Sequence, residues 1–226
     1  MAFEVLDEHE QGEQVQKWLR ENTMSILIGV GLGLLLLFGF QQWRSHRAQH
    51  QMDAAVQYDV LATDVGKKEY DAAKQIAAKL KSDYADTPYA VLAAMHEADI
   101  ATEHGDAETA RSALEWAWQH AGLDALKAIA GLNLARVELA QTHAQEALNL
   151  IDQLPKGGFD ADLSELRGDA LAALGRKDDA RAAYTDALTH LDAGAPNRAF
   201  VEMKLNDLPV AAKATENTNS AEKKGS

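Results

Sequence analysis

The sequence contains no cysteine and only four prolines, and aromatic residues make up 6% of its 226 residues. The absence of cysteine excludes a disulfide framework, a thiolate metal site and a cysteine nucleophile. Low proline and aromatic content, combined with abundant Ala, Leu, Glu, Asp and Gln, favours helices over sheets. No segment shows the apolar–polar alternation of a half-buried strand. We therefore predict an all-α protein.

Acidic residues outnumber basic ones, since 35 Asp and Glu against 22 Lys and Arg give a formal net charge of −13 at pH 7. An average surface of this sign repels polyanions, and DNA or RNA binding depends on cations that neutralise phosphates. Nucleic acid is therefore not expected among the partners.

One long apolar run, MSILIGVGLGLLLLFGF at residues 24–40, contains four glycines. It lacks the preceding strand and the Gly-Lys-Ser/Thr of a phosphate loop, and its acidic start and missing small-x-small exit do not fit a cleaved signal. From Asn22 to Trp43 no residue is charged. As a helix this segment measures about 33 Å, against about 30 Å for a hydrocarbon core. We predict an uncleaved transmembrane helix at 22–43, after an acidic arm at 1–21.

The direction of the span is not set by nearby charges. Lys17 and Arg20 precede it, and Arg44 and Arg47 follow it. Orientation depends on the difference in Lys and Arg between the two sides. The count is equal, so the residues alone leave both topologies open.

Three small residues, Ser25, Gly29 and Gly33, recur every four positions in the span. On a helix they form one ridge, along which another membrane helix can approach closely. The alternative is that small residues are simply common in membrane helices.

Amphipathic segments separated by short polar turns follow the span. Several turns contain Gly or Pro: Asp64-Val-Gly66, Asp86-Thr-Pro88, His104-Gly105-Asp106, Pro155-Lys-Gly-Gly158 and Leu174-Gly-Arg-Lys177. The last pair of segments is the clearest. In LRGDALAALGRKDDARAAYTDALTHL, Gly168 allows close helix approach, Gly175 lies at the turn, and Ala180, Tyr184 and Ala187 form an inner stripe. This pattern resembles the tetratricopeptide repeat, a helical hairpin with Ala-x-x-x-aromatic in its second helix. Such hairpins stack into a solenoid with a concave protein-binding surface.

Weaker copies of the alanine signal occur upstream, at intervals of 33, 37 and 38 residues: Ala147/Ile151, Ala110/Leu114 and Ala72/Ile76. The sequence thus predicts three to four hairpins in a domain at 44–208, with a short helix near 197–206 at its end. The polar segment 209–226 has few apolar residues and is predicted to be a disordered tail.

No arrangement of residues indicates catalysis. His46 and His50 could share a helix face, but no third metal ligand lies beside them. The segment from Asp160 to Glu165 begins like a calcium loop and lacks its later ligands, so a helix N-cap is the better interpretation. We predict no enzyme activity and no cofactor or metal.

The surface formed by the first helices of the hairpins is the candidate partner groove. The residues expected to face it are Asp99, Glu103, Arg136, Asp162, Glu165 and Asp169. We interpret them as a groove that prefers neutral or basic extended segments. The alternative is a solvated face on which Arg136 pairs locally with an acid.

Several segments occur in an order that resembles a known family: QVQKWLR at 14–20, the glycine-bearing span, Trp43-Arg44-Ser-His46, Leu134-Ala-Arg136-Val, and LRGDAL at 166–171. Together they resemble the YfgM family of bacterial inner-membrane proteins, the ancillary subunit of the Sec translocon. The resemblance covers about residues 10–208.

The resemblance implies a cytoplasmic N-terminus and a periplasmic repeat domain. It also implies association with the SecYEG channel and with a membrane-anchored periplasmic chaperone resembling a prolyl isomerase, assisting client polypeptides as they emerge. The family has no catalytic residues to transfer. Two alternatives remain from the residues: a membrane-anchored cytoplasmic tetratricopeptide adaptor, and an anchored enzyme.

Overall fold

The computed structural model describes residues 8–209, and their side chains from residue 12 onward. Within this range the chain forms nine helices and no strand, which confirms the all-α prediction. The helices are α1 (Glu8–Gly66), α2 (Tyr70–Asp83), α3 (Pro88–Glu103), α4 (Ala107–His120), α5 (Asp124–Ala140), α6 (Ala144–Ile151), α7 (Asp160–Ala173), α8 (Lys177–His190) and α9 (Arg198–Asp207). Except for Pro209, the predicted disordered tail at 209–226 lies outside the described residues.

The chain divides into two units between Asp53 and Ala54. In the first unit the described residues, 8–53, all belong to α1. This helix contains a segment long and apolar enough to cross a membrane, and none of that segment is buried inside the protein. Every large apolar side chain from Met24 to Phe40 is exposed. An apolar surface of this extent fits a hydrocarbon surrounding rather than water.

The second unit, from Ala54 onward, consists of four helical hairpins, α1–α2, α3–α4, α5–α6 and α7–α8, followed by α9. All four hairpins turn in the same way. One residue adopts a left-handed φ, and the next donates its N–H to the carbonyl five residues earlier, as in a Schellman motif. The left-handed residues are Lys68 (φ 62°), Gly105 (72°), Thr142 (68°) and Gly175 (72°).

Sequence patterns found only some of these turns. Gly105 and Gly175 marked two of them, because glycine adopts a left-handed φ without a steric penalty. The turn at Lys68 was marked by Gly66, which lies two residues before the left-handed position, and only the turn at Thr142 contains neither Gly nor Pro. Three of the four turns are therefore marked by a glycine, although glycine occupies the left-handed position in only two of them.

The inner stripe of α2 corrects one register in the predicted repeat. Ala72 and Ile76 were expected to form this stripe. Both are only partly buried, with Ile76 packed at the side of the core, and the fully buried residues are Ala73, Ala77 and Leu80. Ala73 lies 37 residues before Ala110, the same interval that separates Ala110 from Ala147. In the other three second helices the predicted pairs are buried: Ala110/Leu114, Ala147/Ile151 and Ala180/Tyr184.

Close helix approach at Gly168 is confirmed. A Cβ atom at this position would clash with the ring of Tyr184, which α8 presents to α7. Gly131 in α5 has the equivalent position 37 residues earlier, and a Cβ there would clash with the Leu154 side chain. Glycine at these two positions lets α5 and α7 lie close against the segments that follow them.

The helix expected near 197–206 is α9, whose Val201 is fully buried in a cluster with Leu171 and Tyr184. Arg181 of α8 donates to the carbonyl oxygens of Leu208 and Pro209, at 2.9 Å each. These contacts fix the last described residues against the final hairpin.

Candidate protein-interaction surfaces

The small-residue ridge lies on one continuous stretch of α1. Ser25 and Gly29 are exposed and Gly33 is partly exposed. A Cβ at Gly29 or Gly33 would have no neighbouring atom within 4 Å. The side that these residues share therefore has room for a second helix, and that use stays a prediction.

The six predicted groove residues lie on three successive first helices. Asp99 and Glu103 belong to α3, Arg136 to α5, and the other three acids to α7. We call this set the first-helix surface. Asp162, Glu165 and Asp169 share one side of α7, because positions i, i+3 and i+7 coincide on a helix.

Arg136 connects α5 to α7. Its Nη2 lies 3.8 Å from Oδ1 of Asp162, and its Nη1 donates to Asn133 at 2.9 Å. The side chains of Arg136 and Asp162 are 52% and 42% exposed. A pair this exposed contributes little to stability, so both groups remain accessible to a partner.

Glu165 and Asp169 form ion pairs with a lysine of the same domain, Lys204. Lys204 of α9 places its Nζ 2.8 Å from Glu165 and 2.7 Å from Asp169, and all three side chains are largely buried. Asp169 also accepts a hydrogen bond from the Tyr184 hydroxyl at 2.8 Å. Burial, followed by this bond, raises the pKa of Tyr184. The two acids thus hold α9 in place, a role that sequence spacing could not indicate.

The acids of α3 have different surroundings. The Asp99 side chain is 75% exposed, with His96 at 4.0 Å. Glu103 accepts a 2.6 Å hydrogen bond from the Tyr70 hydroxyl, which raises the pKa of Tyr70. Asp99 is therefore the more accessible of the two carboxylates.

A polar network that sequence reasoning missed lies between α4 and α5. The Glu138 side chain is 6% exposed and accepts from Nε of Arg111 at 2.6 Å. His143, in the turn before α6, lies 2.9 Å from the other carboxylate oxygen. The bond to Glu138 raises the pKa of Arg111. Because a buried carboxylate needs partners, this network fixes the second hairpin to the third.

An aromatic group on the first helices was also not predicted. The Tyr58 ring of α1 lies 5.8 Å from both Tyr89 and His96 of α3, and its hydroxyl is 3.1 Å from Nε2 of His96. Burial raises the pKa of Tyr58. The group places partly exposed rings on the same helix as Asp99.

Across residues 12–209, no group of three or more His, Asp or Glu side chains is arranged to hold a metal ion. His46 and His50 lie on α1, with no third ligand grouped beside them.

The similarity of this chain to known proteins extends over nearly its whole length. A family model described as a tetratricopeptide repeat-like domain matches residues 16–210. The ancillary SecYEG translocon subunit of Escherichia coli is 30% identical over 207 residues, which cover 90% of this chain and 98% of that protein. The chain belongs to the YfgM family.

Other relatives with the same name agree with this assignment. The ancillary SecYEG translocon subunit of Haemophilus influenzae is 29% identical, covering 92% of this chain and all of that protein. That of Neisseria gonorrhoeae is 28% identical, covering 85% and 89%. In this YfgM-family chain the matched region includes both the apolar part of α1 and all four hairpins. Helical repeats of this kind are protein-binding scaffolds.

Proposed function

We propose that this chain is a non-catalytic ancillary component of the bacterial Sec translocation machinery. The observation that carries the proposal is its match, over 90% of its length, to a relative named ancillary SecYEG translocon subunit. The exposed apolar helix and the helical repeats support it, because they supply a membrane anchor and a protein-binding surface.

The test is co-purification. The chain with a C-terminal affinity tag, extracted from inner membranes in mild detergent, is expected to retain the SecYEG channel. A matched sample in which residues 22–43 are replaced by an unrelated transmembrane segment separates association through the span from association through the repeats. Absence of channel subunits from both samples would overturn the proposal.

The proposed topology has one inner-membrane span at 22–43, a cytoplasmic arm at 1–21 and a periplasmic repeat domain at 44–208. The equal Lys and Arg counts permit this direction, since a long C-terminal domain can be translocated whatever its charge. A reporter active only in the periplasm, fused after Leu208, is expected to be active. Activity of a cytoplasm-specific reporter there would instead favour an anchored cytoplasmic adaptor.

Ser25, Gly29 and Gly33 are the proposed contact with a channel helix. Photo-crosslinking residues at Gly29 and Gly33 are expected to capture a channel subunit. Leu27 and Leu34 lie at similar depths on the other side of the helix, at about 100° per residue, and provide matched controls. Equal crosslinking from both pairs would show that the ridge has no special role.

The first-helix surface is the proposed site for neutral or basic extended segments. These segments belong to client polypeptides or to a membrane-anchored periplasmic chaperone resembling a prolyl isomerase. Asp99, Glu103 and Asp162 are accessible carboxylates, and Arg136, which lies 3.8 Å from Asp162, is the one basic residue predicted on this surface. Such an excess of acid attracts cations. Glu165 and Asp169 contribute less directly, since Lys204 already neutralises them.

A charge-removal experiment tests this surface without disturbing Lys204. The variant with Asp99, Glu103 and Asp162 changed to Ser is expected to retain less chaperone and client in a pull-down. The control changes three acids of the second helices to Ser, namely Glu108, Glu146 and Asp178. If both variants retain partners equally well, the first-helix surface is not the binding site.

A further inference from the structure

A groove of about 860 Å³ runs beside α8, and nothing described above uses it. Its residues on α7 include Asp160, Ser164 and Arg167. At about 100° per residue these lie on the opposite side of α7 from Asp162, Glu165 and Asp169. The groove, which we call the α6–α8 groove, is therefore separate from the first-helix surface. Its volume is in the range of ligand sites.

The groove exists because α6 is short. Helices α2, α4 and α8 each have 14 residues, whereas α6 has eight. At 1.5 Å per residue, the difference corresponds to about 9 Å of helix. After Ile151 the chain leaves the helix and continues as a loop that contains Pro155, Gly157 and Gly158, and both glycines have positive φ. The layer of second helices thus has a gap next to α8.

The groove combines an apolar floor with charged edges. Leu154, Leu163 and Ala183 are buried residues of its lining, and Ala182 is exposed in it. The small side chains on α8 leave room for a segment to lie close to the helix. In this fold such alanine surfaces are what the second helices use to pack against their neighbours.

The charges at the edges leave an excess of acid. Arg167 pairs with Asp152 and Arg176 pairs with Asp179, each at 2.7 Å. Two further acids line the groove, Asp160 and Asp186. Among residues 12–209, neither forms an ion pair with a Lys or Arg. Asp186 accepts from Ser164 at 2.6 Å and lies 3.9 Å from His190. Lys156 is the remaining lining cation. A positively charged group is therefore the complementary one.

We propose that the α6–α8 groove binds a short amphipathic helix of a partner protein, with small apolar residues on its contact face and a Lys or Arg beside Asp186. Part of the bound helix takes the place of the missing turns of α6. From Asp179 to His190 the groove follows about 16 Å of α8, which matches a helix of three turns laid in a groove. The proposal is independent of the Sec assignment and of membrane orientation.

The test uses the full-length chain in detergent micelles and a fluorescent 14-residue peptide of Ala, Leu and Lys, with small residues on one face and Lys beside them. Saturable binding by fluorescence anisotropy is expected at 150 mM salt. Ala182→Trp fills the groove, and Asp186→Lys reverses its charge. Each is expected to weaken binding by roughly tenfold, equivalent to about 1.4 kcal/mol.

Matched controls lie on the same helix. Thr185→Trp and Asp178→Lys make the same changes outside the groove, and binding is expected to stay within about twofold of wild type. The proposal would be overturned if the groove variants and the control variants lost the same amount of binding affinity. Equal binding of a scrambled peptide, or no saturable binding, would also overturn it. Circular dichroism of each variant checks that the fold persists.

Two other occupants have distinguishable results. Binding that occurs only after deletion of residues 210–226 would assign the groove to the chain's own tail. A dimer in sedimentation experiments that Ala182→Trp abolishes would assign it to a second copy. Either result overturns the partner-helix proposal, and neither affects the co-purification test of the Sec assignment.

Discussion

Lys204 of α9 lies 2.7 Å from Asp169 of α7, although 35 residues separate them in the chain. The same ammonium group contacts Glu165, so one lysine neutralises two carboxylates on α7, the first helix of the last hairpin. This contact makes α9 part of the repeat stack, and it leaves Asp99 and Asp162 as more accessible acids of the first-helix surface.

Replacing Lys204 with Met is expected to destabilise the repeat domain by about 1–2 kcal/mol, because two poorly solvated carboxylates then repel each other. The measurement is urea unfolding of the full-length chain in detergent, followed by circular dichroism. Lys156→Met removes an exposed lysine and should have little effect. An equal effect of both changes would show that the Lys204 contact contributes nothing specific.

Substitutions of Arg111 and Glu138 are expected to have non-additive effects on the free energy of unfolding, because the two side chains form an ion pair. Arg111→Met alone leaves a carboxylate that is 6% exposed with His143 as its neighbour, and a loss of about 1–3 kcal/mol is expected. The double variant Arg111→Met with Glu138→Leu removes the stranded charge and should be more stable than the single variant. A double-mutant cycle in urea measures the difference. If the changes in unfolding free energy of the two single variants simply added up in the double variant, Arg111 and Glu138 would not stabilise each other.

Gly168→Ala is expected to destabilise the last hairpin by about 1–2 kcal/mol. The added methyl group meets the buried Tyr184 ring, and this overpacking outweighs the better helix propensity of alanine. Gly122→Ala is the control, since a Cβ there meets no atom within 4 Å. Thermal unfolding compares the two, and an unchanged midpoint for Gly168→Ala would mean that the ring moves freely.

Thr142→Gly is expected to stabilise the domain by roughly 0.5–1 kcal/mol. Thr142 has a φ of 68°, and left-handed backbone is unfavourable for a β-branched residue. Gln141→Gly changes the preceding residue, whose φ is −87°, and should reduce stability instead. Denaturant unfolding of both variants gives the sign, and a loss at Thr142 would refute the strain argument.

The raised pKa of Tyr184 predicts that the folded repeat domain loses stability at alkaline pH. Its pKa is raised in the folded protein by burial and by the bond to Asp169, whereas an unfolded tyrosine ionises near pH 10. The unfolded state therefore releases its proton first, so stability is intact below about pH 10 and falls as pH rises further. Tyr184→Phe should show a shallower decline in urea unfolding between pH 8 and 11. Identical slopes would exclude this contribution.

The sequence was informative where local chemistry alone decides structure. The uncharged run from Asn22 to Trp43 has the length of a membrane span, and the structure leaves that part of α1 exposed. Gly105 and Gly175 marked their turns because a positive φ favours glycine. Gly168 with Ala180 and Tyr184 predicted the last hairpin, since the missing side chain at Gly168 leaves the space that the Tyr184 ring fills.

The sequence was less informative for turns and registers without a special residue. Thr142 adopts the same φ as the glycines, held by the hydrogen bonds of its turn rather than by its own preference. In α2, alanines at both 72 and 73 left the inner stripe ambiguous, and only packing against α1 and α3 selected Ala73.

The sequence by itself determined the apolar span, the helical class and the hairpin repeat, because each depends on residues within one helix or one turn. Tertiary structure decided which charges meet. The pairs Lys204 with Asp169 and Arg111 with Glu138, and the gap beside α8, join residues from different helices. Such contacts depend on how the hairpins stack, since the same charges at the same spacing could equally have faced solvent.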